Sequence, residues 1–181
     1  EEHAAYYVPI PQDEVEGKAM LEEFRGLFSN VEIEKIGHNL KYDLNVLLWH
    51  GVEVEGPFFD TMIAAHLAVP QLRRSMDALA NDLLEYQPIS ITELIGERGE
   101  EQRSMSEVPL DQLVEYAAED ADITLQLAGV LRPLIAEKSQ ERVFYEVESP
   151  LISVLATMEH VGIRMVKETL QELSVQLDEE L

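Results

Sequence analysis

Two short strand-like runs in this chain each pass directly into a helical pattern, and that arrangement limits the folds open to it. Glu34 to His38 reads as a strand, and Asn39 opens a helix with Leu44, Leu47 and Leu48 on one face, stopped at Gly51. Pro57 to Phe59 reads as a second strand, after which Asp60 caps a helix running through Ala68. Strands alternating with helices in this way suggest an α/β domain with a small sheet. The predicted class is therefore α/β.

The remaining pattern supports a small sheet among many helices. Ala4 to Pro9 has strand composition, ended by Pro9 and Pro11, and Val15 to Phe28 is helical with Met20, Phe24 and Leu27 on one stripe. Ser75 to Leu84 is a further helix. Residues 86–108 hold Pro88, Gly96 and Gly99 among many charges and read as an irregular excursion with short helical turns. Pro109 starts a long helix with Leu110, Leu113, Val114 and Ala117 inward, running past Leu127 towards Pro133. Glu146 to His160 forms a separate helix ended by Gly162, and a last helix begins at Lys167. Three short strands are few for a sheet, so the first strands of the fold are expected to lie upstream of this segment.

Composition narrows the chemistry. With 181 residues and 46% hydrophobic composition the chain can bury a core. It has no cysteine, which excludes disulfides and thiolate–metal sites and fits a reducing, cytoplasmic setting. No apolar run is long enough to span a bilayer as a helix, so no membrane partner is expected. The formal net charge is −23, opposite in sign to a surface that grips phosphate directly. Such an excess is either a solvated acidic surface or, in part, a set of carboxylates holding divalent metals that bridge to phosphate.

Two carboxylates stand out by context. Asp43 lies one turn into a helix that follows a strand directly, and Asn39 and Asp43 are spaced to share a face. The ends of strands feeding helices are where α/β folds place ligands, although a first-turn acid also suits the helix dipole. Tyr116 and Asp120 are likewise one turn apart, within a run that holds four acids from Glu115 to Asp122 and reads equally as a solvated face. Hydrolysis of a phosphodiester by two cations needs carboxylate oxygens from several elements, with sites left for water and phosphate. A Tyr hydroxyl beside such a carboxylate can hold the attacking water.

The two segments also carry a family resemblance. Gly37-His38-Asn39-Leu40-Lys41-Tyr42-Asp43 resembles the second exonuclease motif of the family A DNA polymerases, and Tyr116-Ala117-Ala118-Glu119-Asp120-Ala121-Asp122-Ile123-Thr124 the third, tyrosine-bearing one. Phe59-Asp60-Thr61-Met62 and Ser75-Met76-Asp77-Ala78-Leu79 are similar to the intervening segments, in the family's order. Glu148-Ser149-Pro150-Leu151-Ile152 and Met158-Glu159-His160-Val161-Gly162-Ile163 resemble the lead into the polymerase thumb.

The resemblance implies a ribonuclease-H-like exonuclease fold with a small mixed sheet flanked by helices. It implies two divalent metal ions (Mg2+ or Mn2+) and the single-stranded 3′ end of DNA as substrate, with a polymerase domain in cis. It assigns Asp120 to the tightly held metal, Asp43 to the second metal and Tyr116 to the attacking water. It suggests Asn39, Tyr42, Arg73 and Met76 as contacts to the frayed strand, with a core role equally open to Met76. It divides the chain into a truncated exonuclease domain, 1–140, and a lead into the polymerase domain, 141–181. The family's first motif, an Asp-x-Glu pair, has no match before Ala4, so the segment is expected to carry half of the carboxylate set and to be inactive alone. Asp60 and Asp122 are expected to be structural. A related RNA-trimming exonuclease fits the same motifs but not the thumb-like segment, and a catalytically silent platform fits poorly with retention of Asp43, Tyr116 and Asp120.

Overall fold

A computed structural model describes residues 3–97, 99 and 102–180. The described sheet has two strands, β1 (Lys35–Gly37) and β2 (Phe58–Asp60), paired in parallel with Gly37 opposite Asp60. Between them runs α3 (Leu40–Trp49), and β2 feeds α4 (Thr61–Ala68) without an intervening residue. Each strand leads into a helix at its C-terminal end, giving the α/β arrangement with a small sheet.

Phe58 and Phe59 set the layers. Adjacent strand residues point to opposite faces, and here the two faces carry separate cores. Phe59 packs with Ala64, Ala65 and Ala68 of α4, Leu79 and Ala80 of α5 (Met76–Leu84), and Ile123, Leu127, Leu131 and Ile135 of α7 (Leu110–Glu137). Phe58 packs with Leu40 and Leu44 of α3 and Ile152 and Ala156 of a later helix. The alanine face of α4 lets α7 approach closely.

That later helix starts earlier than its sequence pattern indicates. Helical turns begin at α8 (Glu141–Val143), pass through a π turn at Phe144–Glu148 and continue as α9 (Ser149–Val161). The widened turn lies just before Pro150, which has no N–H to give to the preceding turn. It places Phe144 at 0% exposure, 4.9 Å from the Phe59 ring centroid. Burying a side chain of that size stabilises by about 1.5–3 kcal/mol. Arg132 of α7 lies 4.1 Å over the Phe59 ring and is held by Glu34 and by the Tyr145 hydroxyl. The Ser149 hydroxyl donates to the Phe58 carbonyl at 2.9 Å. Residues 141–161 are thus packed into both cores, with no break in packing at residue 140. Beyond them, α10 (Lys167–Glu180) has solvent-exposed side chains through residue 178.

Four sequence expectations are corrected. Ala4 to Pro9 forms no strand: no described strand lies beside it to supply hydrogen-bond partners, and Tyr6 is 95% exposed. The helix expected over 15–28 is broken at Phe24 into α1 (Glu14–Glu23), capped by Asp13, and α2 (Arg25–Phe28). Its buried positions are Gly17 and Leu21, and Leu27 faces solvent. On α7 the residues expected inward, Leu110 and Val114, are exposed, because the buried face lies in the second half, from Ile123 to Ile135. That helix also continues through Pro133 to Glu137. The carbonyl that Pro133 leaves without a donor belongs to Gly129, which has no Cβ to crowd the bend. The excursion over 86–108 contains α6 (Ile91–Ile95) and a 3-10 turn at Met105–Glu107, in line with expectation.

Candidate exonuclease site

The turn from β1 into α3 is narrow. A Cβ on Gly37 would lie 2.3 Å from Leu40 Cδ2, so a side chain here would force the Leu40 side chain to move. Asn39 follows in the left-handed region at φ 65° and ψ 47°, a conformation that asparagine tolerates better than most residues. Its side chain does not cap α3. The capping group comes from the neighbouring strand: Asp60 accepts the Leu40 N–H at 2.7 Å and the Asn39 N–H at 3.2 Å. The Thr61 hydroxyl donates to the Gly37 carbonyl at 3.1 Å, and its oxygen lies 2.9 Å from His38 Nδ1. With its proton so engaged, Thr61 takes the His38 N–H as acceptor.

This turn presents Asn39 half-buried and Tyr42 and Asp43 exposed along α3. The Asp43 carboxyl is sheltered enough for burial to raise its pKa. Its own backbone N–H opposes that rise, and the Asp60 charge adds to it.

Tyr116 and Asp120 stand together on α7 and line one cleft with Tyr7, Ile10, Met105 and Leu113. Burial raises the Asp120 carboxyl to about 6. The Tyr116 hydroxyl acts as a donor that lowers it, and the charges of Glu119 and Asp77 raise it further. Tyr116 in turn is pushed up to about 12, by burial first and then by Asp120, so it keeps its proton. Among the described residues, Asp120 Oδ1 is buried with no hydrogen-bond partner. A buried carboxylate oxygen with no donor costs stability unless something else binds it.

The structure therefore joins Tyr116 to Asp120. Asp43 stands on α3, where the charge acting on it is that of Asp60. Arg73 is exposed just before α5. Met76 is half-buried against the core and accepts from the Thr124 hydroxyl at 3.5 Å, in keeping with its core alternative. Asp122, expected to be structural, accepts from the His3 N–H at 2.5 Å and from Gln126 at 2.7 Å.

Sequence reasoning passed over Asp77, whose charge reaches His38, Tyr116 and Asp120 alike. Its place in the first turn of α5 resembles an ordinary helix-start acid, and only the packing of α5 on α7 brings it to the site. Glu119 was also unremarked; it accepts from the Tyr86 hydroxyl and the Ile89 N–H and holds the start of the 86–108 excursion.

The profile of the 3′-5′ exonuclease family of A-type DNA polymerases matches residues 1–136. The chain belongs to that family. It is 45% identical over 149 residues to the DNA polymerase I of Chloroflexus aurantiacus, covering 81% of this chain and 16% of that protein. It is 34% identical over 177 residues to the DNA polymerase I of Borreliella burgdorferi, covering 94% of this chain and 18% of the relative. The chain thus spans less than a fifth of the curated relatives it matches. Among solved structures, the POL domain of Pol1 from M. smegmatis, in complex with DNA primer-template and dNTP, aligns at a TM-score of 0.69. That alignment has 23% identity and covers 91% of this chain and 25% of the other. It supports the fold, the ribonuclease-H-like α/β arrangement of this exonuclease family.

Proposed function

We propose that this chain is the exonuclease region of a DNA polymerase I. It removes mispaired nucleotides from the single-stranded 3′ end of DNA during replication and repair in the cytoplasm, alongside a polymerase domain in cis. The observation that carries this reading is the Tyr116–Asp120 pair, in which a phenol with its pKa pushed up to about 12 flanks a half-buried carboxylate with one buried oxygen unpartnered among the described residues. A carboxylate left short of donors is suited to a cation, and family membership supplies the cation's purpose.

Two divalent cations, Mg2+ or Mn2+, would activate the attacking water and neutralise charge on the phosphate when bound. Asp120 and Asp43 are the residues here that would hold them. Tyr116, protonated across the physiological range, would turn its hydroxyl from Asp120 to the attacking water once Asp120 holds a cation, and so orient that water. Tyr42 and Asn39 lie on the same turn as Asp43 and offer a ring to stack on and an amide to hydrogen-bond the terminal nucleotide; Arg73 offers charge to its phosphate. Among the described residues no three metal-ligating side chains gather, so the remaining carboxylates are expected from an Asp-x-Glu pair on the fold's first strand. Residues 1–140 would then form the exonuclease part and 141–181 the lead into the polymerase domain.

The test is a digestion time course on a 3′-labelled oligonucleotide with the full-length protein, with and without chelator. Chelator-sensitive 3′→5′ shortening is expected. Shortening that persists without divalent metal would sink the mechanism. Trimming by these 181 residues alone, at a rate matching the full-length protein, would sink the claim that the carboxylate set is incomplete here.

A further inference from the structure

Asp60 is 1% exposed, and its carboxylate accepts four backbone N–H groups. Two are expected of any N-cap: Met62 at 2.9 Å and Ile63 at 3.3 Å, both in the helix that Asp60 begins. The other two, Asn39 and Leu40, belong to the start of a different helix, 21 and 20 residues earlier. One side chain thus satisfies donors at the N-termini of both α3 and α4.

The start of α3 has no side-chain cap of its own. Asn39 precedes it in a left-handed conformation that costs free energy unless its surroundings impose it. The surroundings that do so are the Asp60 carboxylate on its N–H and on that of Leu40, with Thr61 holding the Gly37 carbonyl behind it. Asp43 follows Leu40 by less than one helical turn. Any shift at the start of α3 is therefore carried to Asp43, Tyr42 and Asn39 together.

Resting on the exonuclease reading above, we infer that Asp60 is a positioning residue for the reaction: its carboxylate locks the α3 terminus to β2 and thereby sets where Asp43 and Asn39 stand. It touches neither substrate nor metal. A displacement of about 1 Å in a catalytic group can lower rate about 100-fold. This gives Asp60 a larger part than the capping of α4 that the sequence assigns it.

The carboxylate form matters, because two acceptor oxygens must face donors on both sides. Asp60→Ser preserves the cap on α4, since serine is as good an N-cap as aspartate, but its hydroxyl is too short to reach Leu40. Asp60→Asn keeps one acceptor oxygen and turns an NH2 towards the other donors. Asp13→Ser is the matched control, because Asp13 caps only α1, accepting from Val15 and Glu16.

The experiment measures kcat and KM for 3′ digestion in the full-length protein, with DNA synthesis and the melting midpoint as checks on folding. Asp60→Ser is expected to lower kcat about 10- to 100-fold with KM within about threefold, Asp60→Asn to fall between it and wild type, and Asp13→Ser to leave kcat unchanged. Wild-type kcat in Asp60→Ser, beside a loss of digestion in Asp43→Ala, would overturn the positioning role and leave the exonuclease reading intact. Digestion that survives Asp43→Ala would overturn both. If Asp60→Ser loses DNA synthesis as well, the same criterion applies to Asp60→Asn: a wild-type kcat there overturns the proposal, and a selective fall in kcat supports it.

Discussion

Asp60 and Asp120 are both sheltered carboxylates in the same domain, and they are treated in opposite ways. Asp60 at the end of β2 accepts four N–H groups and has no unsatisfied oxygen. Asp120 on α7 has one buried oxygen with no partner among the described residues, two further acids in its field and a pKa raised to about 6. The first is what a fold does with a buried charge that it needs for its own integrity. The second is an unsatisfied charge with a raised pKa, a combination that clusters at binding and catalytic sites. Sequence context places Asp60 at a helix start and Asp120 inside a helix among other acids, but it shows neither the four donors of the first nor the bare oxygen of the second.

The largest expected difference is in activity. In the full-length protein Asp120→Ala and Asp43→Ala should each reduce 3′ digestion about 1000-fold, the scale of losing a group that stabilises transition-state charge. Tyr116→Phe should reduce it only about tenfold, the loss of one hydrogen bond. Equal losses in Tyr116→Phe and Asp120→Ala, read from single-turnover rates, would make Tyr116 more than an orienting donor.

Stability reverses the order. Asp60→Ala leaves four N–H groups at two helix starts without their acceptor and should destabilise by about 2–3 kcal/mol, more than the roughly 1 kcal/mol of a single lost cap. Asp120→Asn should do the opposite. A carboxylate whose native pKa lies above its ordinary value loses stability as pH rises through that interval, because the folded state holds the proton more tightly. By pH 7 the whole penalty is present. Discounted for the partial exposure of the group, removing the charge should stabilise by about 1 kcal/mol in chelator at pH 7 to 8. Urea midpoints at pH 7.5 check both; a destabilised Asp120→Asn would mean that the orphan oxygen is satisfied in solution.

What the sequence discloses follows the same line. The βα units around Glu34–His38 and Pro57–Phe59 are legible because each strand run is short, apolar and followed at once by a helix signal. The cap at Asp60 is legible for the same reason. Its second partner is not, because pairing Gly37 with Asp60 is a long-range register that no local pattern encodes. The inward face of α7 is misread for a related reason. Leu110 and Val114 have the right spacing but no described element covers them, whereas the later residues find β2, α4 and α5. Asp77 reaches the site only through that same packing. Phe144 belongs to the core because a π turn before Pro150 re-aims it, and helical periodicity does not foresee an extra residue in a turn.

The smallest effect is the pH dependence that His38 adds, and it sharpens the comparison because its sign opposes that of Asp120. Burial lowers the His38 pKa below its ordinary 6.5, and the charge of Asp60, the Arg74 carbonyl and the charge of Asp77 only partly offset it. A buried imidazole held neutral is protonated first in the unfolded chain as pH falls. Stability is therefore lost as pH drops below 6.5 towards the native pKa. Asp120 gains stability as pH falls through about 6. The two slopes run against each other between pH 5 and 7, so the wild type should show less pH dependence there than either single variant. His38→Gln should uncover the Asp120 gain on acidification, and Asp120→Asn the His38 loss, each by less than about 1 kcal/mol relative to wild type. The double variant should return to a flatter profile. Urea midpoints at pH 5, 6 and 7 in chelator decide it. If His38→Gln becomes less stable on acidification relative to wild type, the imidazole is charged in the native state, and the hydrogen bond from its Nδ1 to Thr61 is then one of two that it donates.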